Sequence, residues 1–169
     1  MTPLEDSARQ LELLAMRHAH QLEQFERANR EFFASRISDR GDDYFAHFAE
    51  RLAALVAEND TGRSLLFVVV AATQQIVGRV NITDIDQPAL TELGFRVDSG
   101  MQGKGVATRG VVEALEIARE RGVKSIMARV ALDNPGSQRV VERCGFTATG
   151  LVDAPPGSHR TFMGYRIAL

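Results

Sequence analysis

The apolar positions in the first third of the chain follow two different periods. Residues 9–16 alternate between apolar and polar side chains, which predicts a strand. Residues 18–33 carry apolar side chains at helical spacing, and so does the segment after Asp42, a residue suited to begin a helix. The positions that define these two predicted helices are Leu22, Phe25, Ala28, Phe32, Tyr44, Phe48, Leu52, Leu55 and Val56.

The middle of the chain is richer in β-branched and other apolar residues. Segments 64–72 and 76–85 are separated by Thr-Gln-Gln and predict an antiparallel hairpin. Segment 90–97 predicts a third strand. The glycine-rich segment 98–110 then leads into a predicted helix that ends near Gly122, because glycine commonly follows the last turn of a helix.

The last part of the chain alternates strands with one more helix. Segment 124–132 predicts a strand, segment 135–145 predicts a short helix between a proline and a glycine, and segments 146–152 and 160–168 predict two closing strands. The order of elements is therefore β-α-α-β-β-β-α-β-α-β-β. This order predicts an α/β (α+β) fold with an antiparallel front and a parallel βαβ centre, in a single domain over residues 1–169.

Composition and charge then narrow the function classes. The formal net charge of −2 argues against nucleic-acid binding, which calls for a clustered basic surface. The N-terminal segment MTPLEDSARQ has acidic residues and no apolar run, so we expect no signal peptide. The longest apolar stretch, 65–72, is too short to cross a bilayer. We expect a cytoplasmic protein that binds neither nucleic acid nor membrane.

Metal-binding and thiol chemistry find little support in the sequence. The single cysteine, Cys144, cannot form an internal disulfide, and its position before Gly145 at the end of a predicted helix favours a core position over a nucleophilic role. No metal is expected, because no spacing typical of a metal site occurs among the histidines at positions 18, 20, 47 and 159.

The glycine-rich segment is the most informative part of the sequence. It follows a strand and opens a helix, so its main-chain N–H groups and the positive end of the helix dipole are suited to bind a diphosphate. Glycines at such a junction can also serve the turn alone. Two familiar nucleotide motifs do not match: no Lys-Ser or Lys-Thr follows at the P-loop spacing, and G-x-G-x-x-G fails because Thr108 stands at its last position.

Taken together, the motifs resemble those of the GNAT superfamily of N-acetyltransferases. The family's acyl-CoA motif, Q/R-x-x-G-x-G/A, is matched by Gln102, Gly105 and Ala107. The strand ELGFRV resembles the central strand of the family, and Asn134-Pro-Gly-Ser137 followed by VVERCGF resembles its second signature. The segments LELLAMRHAHQLEQFERANREFF and GRVNITDI resemble the branch that acetylates the N-terminal alanine or serine of ribosomal proteins.

The resemblance implies a GNAT-like mixed sheet of about seven strands, with splayed central parallel strands and about four helices. It also implies acetyl-CoA as the co-substrate, with its pantetheine arm beside one strand and its diphosphate in the glycine-rich turn. A homodimer is possible by the same resemblance. The residues expected to bind acetyl-CoA are Phe95, Arg96, Val97, Gln102, Gly103, Lys104, Gly105, Val106, Ala107, Thr108 and Asn134. The alternative for Asn134, which the sequence favours less, is that it serves only to cap its helix.

Two residues are candidates for proton transfer. By resemblance, Ser137 lies near the thioester sulfur and donates a proton to the leaving thiolate, although a serine near a helix start is often only solvated or capping. A tyrosine that many relatives use four residues later is replaced by Val141. Glu92 is the candidate base that deprotonates the amine, and it could also be an ordinary carboxylate at a strand edge. The weaker alternatives for the base are Asp84, Asp86 and Asp133; Arg129 occupies another position where relatives carry a glutamate.

The expected activity is direct transfer of an acetyl group to an amine, without an acyl-enzyme. A backbone N–H such as that of Val97 could hold the oxyanion of the tetrahedral intermediate. The expected acceptor is a protein or peptide N-terminus. Two alternatives stay open: an acetyltransferase for a small amine such as an antibiotic, a polyamine or an amino acid, and a non-catalytic module that senses acyl-CoA.

Overall fold

The computed structural model describes residues 9–169. Residues 1–8, which make up most of the segment used to assess a signal peptide, lie outside the described residues. The described chain forms the strands β1 (Gln10–Leu13), β2 (Leu65–Val70), β3 (Ile76–Thr83), β4 (Glu92–Val97), β5 (Ser125–Ala131), β6 (Thr147–Val152) and β7 (Phe162–Ala168). Its α-helices are α1 (Ala19–Ala28), α2 (Arg30–Ala34), α3 (Asp42–Ala46), α4 (Phe48–Asp60), α5 (Val106–Glu120) and α6 (Pro135–Arg143).

All seven strands form one sheet in the order β1-β2-β3-β4-β5-β7-β6. Neighbouring strands are antiparallel except for the central pair, β4 and β5, which are parallel and connected through α5. The predicted mixed fold, with an antiparallel front and a parallel βαβ centre, is confirmed.

The sheet separates two layers of helices. Strand β2 is buried along its whole length, because successive side chains point to opposite faces and both faces are covered. Its residues Leu65, Phe67 and Val69 belong to the core under α5 and α6. The intervening residues Leu66, Val68 and Val70 pack against the helices of the N-terminal part.

The structure corrects two of the predicted helices, each of which is divided. Asn29 interrupts residues 18–33: its Nδ2 donates to the carbonyl oxygen of Phe25 at 2.9 Å and to Asp98 at 2.9 Å, and its Oδ1 accepts from the N–H of Ser99 at 2.9 Å. Asn29 thus ties the end of α1 to the loop after β4. His47, with non-helical dihedrals, separates α3 from α4 in the same way.

Two element ends also differ from the predictions. The first strand ends at Leu13 rather than at Met16, because residues 16–18 form a 3-10 turn that leads into α1. Asp42 is the first residue of α3, and the capping position is held by Gly41, whose φ of 83° lies in the left-handed region that glycine adopts readily. No helix within residues 9–169 is long and apolar enough to cross a membrane.

Candidate functional site

The two parallel strands at the centre of the sheet pair over a very short length. Glu92 lies opposite Met127 and Leu93 lies opposite Ala128, and no further pair joins β4 to β5 within the described residues. β5 continues instead alongside β7 up to Ala131. The edge of β4 beyond Leu93 therefore faces an opening rather than another strand, as the sequence resemblance implied.

A cavity of about 710 Å³ lies at this opening. One wall consists of the end of β4, the glycine-rich turn and the starts of α5 and α6; the other consists of α2, the loop after it, and Arg160. Most of the residues expected to bind acetyl-CoA line the cavity: Phe95, Arg96, Val97, Gln102, Gly103, Gly105, Val106, Ala107, Thr108 and Asn134. The exception is Lys104, which does not line it.

The glycine-rich turn has the backbone that an anion site requires. Gly103 has a φ of 72° and Gly105, the capping residue of α5, has a φ of 76°, a region that L residues with side chains rarely adopt. The first turn of α5 contains no acidic residue. Its unpaired N–H groups and the positive end of the helix dipole therefore meet the cavity at residues 106–108, an arrangement suited to a diphosphate.

Polar side chains hold this turn in place. Gln102 Nε2 donates to the carbonyl oxygen of Val97 at 2.9 Å, which closes the loop between β4 and α5. Asp98 Oδ1 accepts from the N–H of Gly100 at 2.8 Å. Together with the bonds of Asn29 described above, these contacts fix the position of the turn relative to both strand and helix.

The start of α6 brings Asn134 and Ser137 to the same cavity. Asn134 Oδ1 accepts from the N–H of Ser137 at 3.2 Å, so Asn134 caps α6. Because Asn134 also lines the cavity, the contact with acetyl-CoA predicted for it is compatible with this cap. Ser137 Oγ has no hydrogen-bond partner among residues 9–169. Val141 is fully buried in the core, and neither tyrosine of the chain, Tyr44 or Tyr165, lines the cavity.

The candidate base Glu92 lies elsewhere. It occupies the paired end of β4, where Nε and Nη2 of Arg129 both donate to Glu92 Oε1, at 3.1 and 3.0 Å. Glu92 is not among the residues that line the cavity, and neither are Asp84 and Asp86. Asp133 is the single carboxylate that lines it within the described chain.

Four further arginines line the cavity: Arg36, Arg139, Arg143 and Arg160. The sequence contained a signal for Arg139 and Arg143, because residues four apart on a predicted helix lie on one face. The segment of Arg36 predicts a loop, for which the sequence favours a solvated position over a place in the acceptor cleft; in the structure Arg36 lines the cavity. Arg160 lies at a predicted strand end, where nothing in the pattern indicated its position. Arg160 donates to the carbonyl oxygen of Ser35 and lies 3.6 Å from Asp133, and so links the two walls.

The single cysteine of the chain, Cys144, lies outside this cavity. Cys144 is half-buried against the core, and it does not line the cavity. Burial raises the pKa of the Cys144 thiol to about 11, so the thiol stays protonated at neutral pH. Within residues 9–169, no cluster of three or more His, Cys, Asp or Glu side chains is arranged to hold a metal ion.

Comparisons with known proteins agree with this geometry. The sequence matches the Acetyltransferase (GNAT) domain family over residues 8–147. A curated relative in Bacillus subtilis (strain 168), named Probable N-acetyltransferase YjcK, is 28% identical over 129 residues, which cover 73% of this chain and 71% of the relative.

Solved structures share the fold. The ribosomal-protein-S5-alanine acetyltransferase from Vibrio fischeri superposes with a TM-score of 0.88 and 23% identity, covering 96% of this chain and 93% of the other. Mycobacterium smegmatis RimJ, solved with a CoA disulfide, gives a TM-score of 0.84 and 23% identity, covering 97% and 83%. Because the family match extends over most of the sequence, the chain belongs to the GNAT acetyltransferase family and is an acyltransferase.

Proposed function

We propose that the protein is an acetyl-CoA-dependent N-acetyltransferase that transfers the acetyl group directly to an amine, with a protein N-terminus as the acceptor. One observation carries the proposal: the first turn of α5, the open edge of β4 and Ser137 all line one cavity. A diphosphate, an extended arm and a reactive thioester need these three features at successive positions. Membership of the GNAT acetyltransferase family supports the same activity.

The donor is acetyl-CoA, and its phosphates occupy the turn at residues 103–108. Backbone N–H groups at a helix start bind phosphate without a side-chain charge, which agrees with the position of Lys104 outside the cavity. Arg139 and Arg143 lie on the cavity side of α6 and supply additional positive charge for the phosphates. The pantetheine arm lies along Phe95–Val97, whose backbone has no strand partner on that side within the described chain.

The reaction begins when the amine loses a proton and its nitrogen lone pair attacks the thioester carbonyl carbon. The carbonyl π electrons move to oxygen, and the backbone N–H of Val97 stabilises the oxyanion. When the carbonyl re-forms, the carbon–sulfur bond breaks and the electron pair leaves with the thiolate of CoA. The nitrogen, which becomes positively charged on attack, loses its second proton to solvent, so the product is a neutral amide. Ser137 donates a proton to that thiolate and is reprotonated from solvent, so no acyl-enzyme forms.

Asp133 is our candidate for the group that accepts the proton of the amine. A general base must reach the amine directly or through one water molecule, and Asp133 is the carboxylate among the described residues that lines the cavity. The role predicted for Glu92 stays a prediction. Its salt bridge with Arg129 at the paired end of β4 favours a structural role instead.

The choice of a protein N-terminus as acceptor rests on similarity. The structures most like this one include a ribosomal-protein-S5-alanine acetyltransferase and RimJ. The second wall of the cavity, from α2 and the loop after it, is open to solvent at Ser35, Arg36 and Ile37, which leaves room for an extended peptide.

The proposal is tested with purified protein, acetyl-CoA and two acceptor sets: peptides with N-terminal alanine or serine, and small amines that include a polyamine, an aminoglycoside and free amino acids. Release of the CoA thiol and mass spectrometry of the acceptor measure transfer. We expect transfer to the peptide N-terminus. Preferred transfer to a small amine would mean that the acceptor is a small amine rather than a protein N-terminus. Stabilisation by acetyl-CoA without any transfer would favour a non-catalytic acyl-CoA sensor. No stabilisation and no transfer would refute the proposal.

A further inference from the structure

A buried carboxylate beside the cavity is surrounded by three arginines. Glu26, on α1, is 1% exposed. It accepts hydrogen bonds from Nη1 of Arg79 at 2.8 Å, from Nη1 of Arg96 at 3.3 Å and from Nε of Arg40 at 3.3 Å. We call these four residues the Glu26 cluster. One carboxylate neutralises one guanidinium, so the cluster carries an excess of two positive charges.

Within residues 9–169, Arg40, Arg79 and Arg96 form ion pairs with Glu26 alone. Arg79 lies opposite Arg96 in the register of β3 and β4, so two like charges face each other across the sheet. The nearby carboxylates Asp39 and Asp42 are both engaged by Arg30 and are exposed to solvent, where water screens their charge.

Two further observations show that the cluster is electrostatically unfavourable as it stands. Nε of Arg79 is buried and has no hydrogen-bond partner within the described residues, although buried polar groups in native structures are almost always paired. Burial and the charge of Arg40 lower the pKa of Arg96 to about 10, against a partial opposing effect from Glu26. An anion near Arg96 would offset the electrostatic cost of holding these cations together.

Arg96 connects the cluster to the cavity, since it lines both the large cavity and a small pocket beside Glu26. Its guanidinium lies 4.9 Å from the centre of the Phe33 ring, which restricts its orientation. Arg36 lines the wall formed by α2 and the loop after it, against which the Arg96 guanidinium packs at Phe33, and the Arg36 guanidinium lies 4.1 Å from the centre of the Phe32 ring. Within residues 9–169, Arg36 has no carboxylate partner. The acceptor side of the cavity is therefore cationic, and the Phe32 and Phe33 rings restrict the positions of its guanidinium groups.

We propose that the acceptor carries a carboxylate close to its amine, and that Arg36 and Arg96 select for that carboxylate. A guanidinium binds a carboxylate through charge-assisted hydrogen bonds in a defined geometry. The inference rests on the acetyl transfer proposed above and specifies its acceptor. The carboxylate belongs either to an acidic side chain near the N-terminus of a peptide or to a free amino acid.

The same charges disfavour cationic acceptors. A polyamine brings several positive charges to a wall that already has an excess of them, and like charges at short range discriminate strongly against such a partner. Positive charges also lower the pKa of a nearby ammonium group, which increases the fraction of acceptor amine that is neutral and able to attack.

The test uses matched acceptor pairs with acetyl-CoA in excess. One pair consists of two peptides that begin with serine and differ only in glutamate or glutamine at the second position; the other consists of a free amino acid and its amide. We expect kcat/KM to favour the carboxylate member of one pair by about tenfold or more, the effect of a single charge-assisted hydrogen bond. The pair that shows the preference identifies the source of the carboxylate.

Variants then assign the preference to residues. Arg36→Met alters an exposed side chain and is expected to fold normally, and it should reduce the preference at least threefold. Arg96→Met should reduce the preference further. Because Glu26 loses one of its partners in this variant, its thermal melting temperature is measured as well. Arg17→Met changes an exposed arginine in the 3-10 turn before α1 that does not line the cavity; it is the matched control and should keep the preference.

Three outcomes would overturn the inference. Equal kcat/KM for both members of each pair in the wild type would refute it while leaving acetyl transfer intact. A preference that survives in both Arg36→Met and Arg96→Met would mean that the Glu26 cluster has a purely structural role. No thiol release with any acceptor would refute the acetyl transfer itself, and the inference with it.

Discussion

Glu92 and Arg129 form a salt bridge at the point where β4 and β5 still pair, before the two strands separate. Both side chains are about one-third exposed, at 29% and 32%. The bridge lies at the closed end of the opening, and the cavity lies at the other end. A carboxylate held there by two hydrogen bonds from one guanidinium joins the strands, and it does not line the cavity in which we place the acceptor amine.

We therefore expect Glu92→Gln and Asp133→Asn to differ in their effect on the pH–rate profile. Asp133→Asn should lower kcat by about 10²-fold, in the range of general-base catalysis, and remove the fall of activity on the acidic side. Glu92→Gln should keep the profile and lower the unfolding free energy by about 1 kcal/mol or less, because the salt bridge is partly exposed. A changed profile for Glu92→Gln alone would restore Glu92 as the base.

The diphosphate site is tested at Gly105, where we expect the substitution Gly105→Glu to abolish acetyl-CoA binding. The new side chain would bring negative charge to the start of α5 and would require a left-handed backbone that glutamate adopts poorly. Affinity measured by calorimetry should fall by about 10²-fold or more, as expected when several charge-assisted hydrogen bonds are lost.

Gly62→Glu is the matched control for this substitution. Gly62 has a similar φ of 72° and open space around its Cα, but it lies after α4 and away from the cavity. The Gly62→Glu variant should lose about 1 kcal/mol of unfolding free energy through the same backbone strain, and it should keep the acetyl-CoA affinity of the wild type. Equal loss of affinity in both variants, or unchanged affinity in Gly105→Glu, would contradict the assignment of the turn.

The sequence predicted the elements of the fold well, because apolar side chains repeat with periods of two and 3.6 residues over most of them. It did not predict the break at Asn29. The apolar spacing continues through that position, and the bonds that interrupt the helix come from Asp98 and Ser99, which are distant in sequence. A pattern of local spacing contains no information about such partners.

The candidate site shows the same limit. The turn at 102–108 and the N-x-x-S segment were recognisable because their function depends on local backbone and side-chain order. The Glu26 cluster was not, since Glu26 reads as one more polar residue on a helix and its partners lie in other elements. For the same reason, the salt bridge between Glu92 and Arg129 could not be anticipated.

Ser137 is expected to act as the acid, so Ser137→Ala should lower kcat by about 10²-fold while the KM for acetyl-CoA changes less than about twofold. The substitution removes only the hydroxyl. The cap of α6 depends on the backbone N–H of Ser137, which the variant keeps, and stability should stay within about 0.5 kcal/mol of the wild type.

Ser35→Ala is the control for Ser137→Ala. Ser35 also lines the cavity, but its hydroxyl donates to the carbonyl oxygen of Phe32 at 2.6 Å and serves the end of α2. We expect its kcat to remain within about threefold of the wild type, the range of surface substitutions outside the catalytic groups. Wild-type turnover in Ser137→Ala would remove the acid role and leave protonation of the thiolate to water.

The Glu26 cluster makes stability depend on pH in a defined direction. Burial alone would raise the pKa of Glu26, but Arg40, Arg96 and Arg79 outweigh it and hold the pKa below its ordinary value. A carboxyl group whose pKa is lower in the folded than in the unfolded state stabilises the fold above the unfolded pKa, and this contribution is lost as the pH falls through the folded value. The unfolding free energy should therefore decrease on acidification below the ordinary glutamate pKa.

Glu26→Gln separates this contribution from that of other carboxyl groups. At neutral pH it leaves three guanidinium groups without their counter-charge, so we expect a loss of about 3–5 kcal/mol. As the pH falls below the ordinary glutamate pKa and through the lowered pKa of folded Glu26, the difference between variant and wild type should shrink. Chemical denaturation of both proteins at a series of pH values measures it. A difference that is independent of pH would mean that the charge of Glu26 contributes nothing and that its packing alone stabilises α1 against the sheet.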